Sequence, residues 1–245
     1  MSIVRAGVLL LPPVLAIVLF LQQNWASLDR GEWGGSHYIS TKLAPMVLLT
    51  LTSVLTLPRQ AGASLQPSYV LLALALNTVG DWLLASRSVS VWQFWLGTVS
   101  FSLGHMANCV SFVDWSLPPL NLALVARIAL GLSGLQLTAL YVILWHVPQL
   151  YLRLTMTVYS CTLAGTFLLT ILHHQVRNSP GSLLRAVSYG FFVVSDSMIL
   201  VDDFWLAIPR SQLFIILTYY ASQLLVALAA WTDCSAEERG AVKQN

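Results

Sequence analysis

Two aspartates have the setting that acid–base chemistry needs. Asp81 lies within the predicted span 67–86, and Asp196 lies within the predicted span 183–206. An ionised side chain inside hydrocarbon is costly unless it is paired, neutral or facing water, and an aspartate is too short to reach the membrane surface from mid-span. Two neighbouring buried carboxyls can also divide the roles of proton donor and proton acceptor. The pair therefore predicts a shared polar pocket.

The two carboxyls are predicted to lie at similar depth. At about 1.5 Å per helical residue, Asp81 lies about 21 Å along its helix and Asp196 about 20 Å along its own, and both helices are expected to run in the same direction. Other polar residues are predicted near this level, with one a little deeper and one nearer the outer surface. In chain order they are Lys42 (nearer the surface), His105 (deeper), Tyr219, Tyr220 and Gln223.

A structural interpretation stays open for the smaller polar residues. Serine, threonine, asparagine and glutamine often join neighbouring membrane helices by hydrogen bonds. Taken singly, five residues fit that description: Asn77, Thr78, Ser195, Ser197 and Gln223. Gln223 also shares a helix face with Tyr219 at i, i+4.

The composition places this pocket in a membrane. Of the 245 residues, 57% are apolar and 9% are charged. An average soluble domain carries roughly 25% charged residues. Apolar runs of about 20 residues, enough to cross about 30 Å of hydrocarbon as a helix, recur along the chain. We predict an all-α, polytopic membrane helix bundle, and the net charge of +2 gives no support to nucleic-acid binding.

The chain is predicted to form one integral membrane domain of eight spans and a short polar tail at 232–245. Proline, glycine and asparagine mark the breaks between spans. Eight crossings put both termini on one side, and the excess of Lys and Arg there favours the cytosol. The predicted spans are 3–21, 38–57, 67–86, 90–113, 119–145, 147–172, 183–206 and 210–231.

A short internal repeat accompanies the aspartates. Segments 80–84 and 195–199 stand 115 residues apart, and counting 24 residues past each aspartate reaches His105 and Tyr220. The bundle could thus consist of two parallel four-helix repeats related by an axis along the membrane normal, as in some transporters.

Tryptophans gather at the ends of the spans away from the termini. One interpretation is an aromatic belt at the membrane interface. The other is a rim of aromatic faces that could hold a quaternary ammonium head group. The residues are Trp25, Trp33, Trp82, Trp92, Trp95, Trp145 and Trp205.

Several other chemistries lack their motifs. The chain has no G-x-S-x-G, no H-E-x-x-H, no Walker loop and no dinucleotide glycine fingerprint, so acyl-serine hydrolysis, zinc proteolysis and nucleotide use have no support. The three cysteines lack C-x-x-C spacing. His173 and His174 are adjacent and point in different directions, so they predict no metal pair.

Four segments resemble the YhhN-like lysoplasmalogenase family. They read V-G-D-W-L-L at 79–84, G-H-M at 104–106, G-F-F-V-V-S-D-S at 190–197 with Asp202 and Phe204 beyond, and T-Y-Y-A-S-Q-L-L at 218–225. Lys42 followed by Pro45 is also similar to that family, and the resemblance runs from about residue 38 to 231. The chain departs from the pattern at Asn108, where a tyrosine often follows the histidine by three residues, and at 29–37.

The resemblance implies hydrolysis of the vinyl ether bond of lysoplasmalogens to a fatty aldehyde and glycerophosphocholine or glycerophosphoethanolamine. Asp81 and Asp196 would be the acid and the base, in an order left open. Other residues would bind or orient the lysophospholipid, Lys42 by meeting its phosphate: Lys42, Asn77, His105, Asp202, Tyr219, Tyr220 and Gln223. No metal or organic cofactor is needed, and the partners are the lysophospholipid and membrane lipids.

The alternative function is a proton-coupled transporter or lipid carrier that uses the same aspartates as a proton relay. Release of aldehyde from a lysoplasmalogen by purified protein would discriminate between the two. In a eukaryote, the expected location of this multi-pass protein is the endoplasmic reticulum or another endomembrane. The sequence does not determine the oligomeric state or the head-group preference.

Overall fold

The computed structural model describes residues 3–30, 36–57, 66–85, 91–112 and 122–244. Within these ranges the chain forms eight α-helices and no strand. The helices are α1 (Ile3–Arg30), α2 (Ser36–Thr56), α3 (Gln66–Ala85), α4 (Val91–Phe112), α5 (Leu122–His146), α6 (Leu150–Arg177), α7 (Pro180–Phe204) and α8 (Ser211–Gln244). The predicted all-α bundle is confirmed.

The apolar character of the helices also agrees with the prediction of a multi-pass membrane protein. Seven of the eight contain a stretch long and apolar enough to cross a membrane, and α4 is the exception. α4 directs several buried polar side chains into the bundle, among them Thr98, Ser100, His105 and Asn108. These residues lower its hydropathy although it packs against α3 and α6.

α1 and α8 continue furthest past their predicted ends. α1 extends to Arg30 and α8 to Gln244, whereas the predicted spans stop at 21 and 231. The polar tail predicted from residue 232 is therefore helical up to Gln244. The spans were defined by hydropathy, but a helix continues wherever backbone hydrogen bonds and helix-forming residues such as Ala, Glu and Gln continue.

Local sequence explains the break between α6 and α7. Asn178, just past the end of α6, adopts a left-handed conformation with φ 44°, which asparagine tolerates better than most residues. The Ser179 hydroxyl accepts a hydrogen bond from the Ser182 amide, and the Ser182 hydroxyl accepts one from the Ser179 amide. This capping box, with Pro180 at the first helical position, starts α7.

Close approach of α3 and α4 depends on small residues. A Cβ added at Gly80 would lie 2.7 Å from the Phe101 ring, and one added at Gly97 would lie 2.9 Å from Leu84. The absence of side chains at these glycines therefore lets the two helices pack tightly. This packing fixes the position of Asp81, which follows Gly80.

The helix contacts recur in two halves of the bundle. α1 packs on α2, α2 on α3 and α3 on α4; in the second half, α5 packs on α6, α6 on α7 and α7 on α8. In addition, α2 contacts α8 and α6 contacts α4. The contacts of α1 with α8, α3 with α8 and α5 with α7 have no counterpart in the other half among the described residues, so the two parallel four-helix repeats stay a prediction.

The tryptophans favour the interfacial interpretation. The exposed ones are Trp25, Trp82, Trp92, Trp95, Trp145 and Trp205, whereas Trp33 lies outside the described residues. No described tryptophan lines the internal cavity on which Asp81 and Asp196 lie. An aromatic belt facing lipid head groups explains their exposure.

Candidate active site

A cavity of about 140 Å³ lies within the bundle. Seven helices, α2 to α8, contribute to its wall, and most of the lining is apolar. Asp81 and Asp196 both line it, as do Lys42 and Tyr219. The structure thus brings together the two carboxyls that the sequence placed at similar depth.

Asp81 is held by two partners from other helices. The Nζ atom of Lys42 lies 3.7 Å from Oδ1 of Asp81, and the Tyr219 hydroxyl donates a hydrogen bond to Oδ2. The carboxyl is buried, with 3% exposure. The ammonium of Lys42 therefore supplies the counter-charge that an ionised Asp81 needs in this setting.

Lys42 is buried inside the bundle. The residue is 8% exposed and lines the cavity beside Asp81, and its backbone carbonyl accepts a hydrogen bond of 2.7 Å from the Tyr220 hydroxyl. Tyr220 therefore anchors α2 to α8. Contact between Lys42 and a substrate phosphate stays a prediction.

Asp196 has a different environment. The Tyr159 hydroxyl, from α6, donates a hydrogen bond to its Oδ2 atom. No Lys, Arg or His of the described ranges forms an ion pair with Asp196. The two carboxyls thus line one cavity and each accepts a hydrogen bond from a tyrosine, but within the described part of the chain only Asp81 forms an ion pair.

His105 lies behind Asp196 and not on the cavity wall. Its side chain is fully buried, with Nε2 3.4 Å from the Tyr159 hydroxyl and Nδ1 3.3 Å from the Tyr189 hydroxyl. The Phe192 ring packs edge-on against the imidazole at 5.0 Å between centroids. His105 therefore contacts the site through Tyr159.

Asn77 and Gln223 also lie off the cavity wall. The Asn77 side-chain amide donates to Gln223 Oε1 at 3.4 Å, and both residues are buried. Ser195 likewise donates to the Ile215 carbonyl at 3.1 Å. These bonds join α3 or α7 to α8, as the structural interpretation predicted. A role of Asn77 or Gln223 in orienting substrate stays a prediction.

The Asp202 carboxylate accepts hydrogen bonds from the loop between α7 and α8 and from the start of α8. Its Oδ1 accepts from the Ile208 amide at 2.7 Å, and its Oδ2 accepts from the Ser211 hydroxyl at 2.6 Å. Asp202 does not line the cavity. Its contacts hold the start of α8 and do not reach toward Asp81 or Asp196.

Tyr159 and Tyr189 were not identified from the sequence. Neither lies in a recognisable motif, and α6 looks like an ordinary apolar span. One weak signal existed: Lys42 precedes Asp81 by 39 residues and Tyr159 precedes Asp196 by 37. The second helix of each half therefore supplies a partner for the aspartate on the third helix.

Among the described residues no group of three or more His, Cys, Asp or Glu side chains is placed to hold a metal ion.

Comparison with known proteins gives two matches. The YhhN family matches residues 37–230. A curated pig (Sus scrofa) protein named lysoplasmalogenase TMEM86B is 32% identical over 159 residues, which is 64% of this chain. The aligned part spans 61% of the length of that relative. No solved structure matches this chain.

Proposed function

We propose that this chain, which belongs to the YhhN family, hydrolyses the vinyl ether bond of lysoplasmalogens to a fatty aldehyde and glycerophosphocholine or glycerophosphoethanolamine. The observation that carries the proposal is the placement of Asp81 and Asp196 on one mostly apolar cavity inside a membrane bundle. The lysoplasmalogenase name of the pig relative supports the reaction class. The cavity wall suits a hydrocarbon chain, since Phe94, Ile143 and Met156 contribute to it.

The charges around the two carboxyls support a division of roles. Lys42 stabilises Asp81 as a carboxylate, which can accept a proton and stabilise a neighbouring cation. Asp196 has no such counter-ion among the described residues, so it is the better candidate for the neutral acid that donates the first proton. We assign the acid role to Asp196 and the base role to Asp81.

The reaction then needs only water and these two groups. Asp196 transfers its proton to the β-carbon of the vinyl ether, which turns the double bond into an oxocarbenium ion. Water adds to the cationic carbon, and Asp81 takes the proton that the water loses. The resulting hemiacetal collapses when Asp81 returns a proton to the glycerol oxygen and Asp196 takes the proton of the hemiacetal hydroxyl. The aldehyde and the alcohol leave, and both carboxyls are restored.

The test measures aldehyde release by purified protein in detergent. Asp81→Asn and Asp196→Asn should each lower kcat by about 10²–10⁴-fold, the usual contribution of a general acid or base. Because the two groups act as a unit, the double variant should be little worse than the worse single variant. Asp203→Asn, the same change at an exposed position of α7, is the matched control and should keep full activity.

A substrate analogue completes the test. A saturated alkyl ether analogue should bind without being cleaved, because it has no double bond to protonate. Full activity in either aspartate variant would refute the two-carboxyl mechanism. Absence of aldehyde release from wild-type protein, together with proton flux in proteoliposomes, would favour the transporter alternative.

For a eukaryotic cell, we propose the endoplasmic reticulum or another endomembrane as the location of the protein.

A further inference from the structure

A chain of hydrogen bonds leads from Asp196 into the space between α4, α6 and α7. The Asn108 side-chain amide lies 2.8 Å from the Tyr189 hydroxyl, which lies 3.3 Å from His105 Nδ1. On the other side of the ring, His105 Nε2 lies 3.4 Å from the Tyr159 hydroxyl, which donates to Asp196 Oδ2. Three of these residues, His105, Asn108 and Tyr189, are almost fully buried.

The donors and acceptors allow the chain to run in one direction. The amide nitrogen of Asn108 can only donate, so the Tyr189 oxygen accepts there and its own hydrogen is free to point to His105. Oδ1 of Asn108 lies 3.3 Å from the Ser111 hydroxyl, which donates its hydrogen to the Asn108 backbone carbonyl at 2.6 Å. Nδ1 of His105 then accepts, and its proton sits on Nε2.

The second half of the chain follows from the first. Nε2–H of His105 donates to the Tyr159 oxygen, and the Tyr159 hydroxyl hydrogen donates to Asp196. A doubly protonated His105 would instead donate to Tyr189 from Nδ1. The hydroxyl hydrogen of Tyr189 would then have no acceptor among its described partners, and an unpaired buried donor is unfavourable.

We propose that Asn108, Tyr189, His105 and Tyr159 are positioning residues that determine which oxygen of Asp196 carries the catalytic proton. The chain makes Oδ2 the hydrogen-bond acceptor. Oδ1 has no hydrogen-bond partner within the described ranges, so the proton resides there, on the oxygen free to meet the substrate. The role of these hydrogen bonds in catalysis rests on the proposed function. The direction in which they run depends only on the contacts.

The proposal gives a role to Asn108, which does not line the cavity. Asn108 is 2% exposed and contacts neither aspartate. Its amide is the group that sets the direction, since every other link could run either way. A purely structural Asn108 would affect stability but not the proton position on His105.

Nitrogen NMR of His105 tests the direction without any measurement of activity. In protein labelled with ¹⁵N at histidine, and with a His105→Gln variant to assign the signals, we expect a neutral ring protonated on Nε2. The shifts of the two ring nitrogens distinguish this form from the Nδ1–H form and from the cation. Either of those forms in the wild type would overturn the proposal.

Kinetics test the link to Asp196. Tyr159→Phe and Tyr189→Phe each remove one hydroxyl, and a misplaced catalytic group can cost up to about 100-fold. We expect kcat to fall in both variants with KM nearly unchanged, and the double variant to match Tyr159→Phe alone because Tyr189 acts through Tyr159. Asn108→Leu should resemble Tyr189→Phe. Tyr38→Phe, the same substitution at a buried position of α2, is the control and should keep activity.

Each result separates this proposal from the proposed function. The positioning role would be overturned if the kcat losses of the two single tyrosine variants multiplied in the double variant. Full activity in Tyr189→Phe would overturn it too. Both results would leave vinyl ether hydrolysis intact. Wild-type protein that releases no aldehyde would reject the proposed function. The tautomer of His105 would still decide the direction of the chain, with melting temperatures confirming that each variant is folded.

Discussion

At the level of single residues, Lys42 is the group that makes the two carboxyls different. Both aspartates line the same cavity and both accept a hydrogen bond from a tyrosine, but of the two it is Asp81 that forms an ion pair with the ammonium of Lys42. The placement of one cation therefore underlies the assignment of acid and base. The same cation was expected from the sequence to bind the substrate phosphate, so the two roles need to be separated by experiment.

Lys42→Met removes the charge and keeps most of the side-chain volume. If Lys42 serves Asp81, kcat should fall toward the loss seen for a missing general base, about 10²-fold or more, while KM changes little. Lys42→Arg keeps the charge and should retain part of the activity. Steady-state kinetics with a lysoplasmalogen of either head group would measure this. A rise in KM at constant kcat would instead identify Lys42 as a phosphate ligand.

At the level of helices, the packing of α3 against α4 determines the position of Asp81. Gly80 lies against the Phe101 ring, and Phe101 in turn packs edge-on against Tyr219 at 6.1 Å between centroids. Tyr219 is the hydrogen-bond donor to Asp81. A shift at Gly80 would therefore be transmitted to both sides of this hydrogen bond.

Gly80→Ala should destabilise the protein and lower activity together. The added Cβ would lie 2.7 Å from the Phe101 ring. Such overpacking usually costs about 1–3 kcal/mol. Gly165→Ala in α6 is the control, because a Cβ there meets nothing within 4 Å. That change should be neutral or stabilise by up to about 1 kcal/mol, since alanine is the better helix former. Equal melting temperatures for the two variants would contradict the tight α3–α4 contact.

At the level of the whole molecule, the eight helices predict that both termini lie on one side of the membrane, the cytosolic side. Epitope tags at the two ends should respond alike to protease in sealed vesicles of known orientation. We expect both tags to be cleaved from the cytosolic face without detergent. Opposite responses would mean that one helix, with α4 as the first candidate because of its lower hydropathy, does not cross the membrane.

The sequence by itself determined the elements of this protein and the existence of its polar pair. Hydropathy and break residues act locally, so the helices could be located to within a few residues at most of their ends, and the junction at Asn178 to Gly181 could be identified from composition alone. The cost of burying a carboxyl in hydrocarbon is also a property of each aspartate and its neighbours in the chain. Both features could be predicted without knowledge of the packing.

Only the tertiary structure decided which side chains meet around that pair. Tyr159 and Tyr189 carry no local signal, because their importance comes from the rotation of α6 and α7 relative to α4. Asn77, Gln223 and His105 likewise do not line the cavity that Lys42 and Tyr219 line, because of the rotation of their own helices, α3, α8 and α4. Contacts between helices distant in sequence set that rotation. A residue's depth can be counted along the chain, but its direction depends on the helices packed against it.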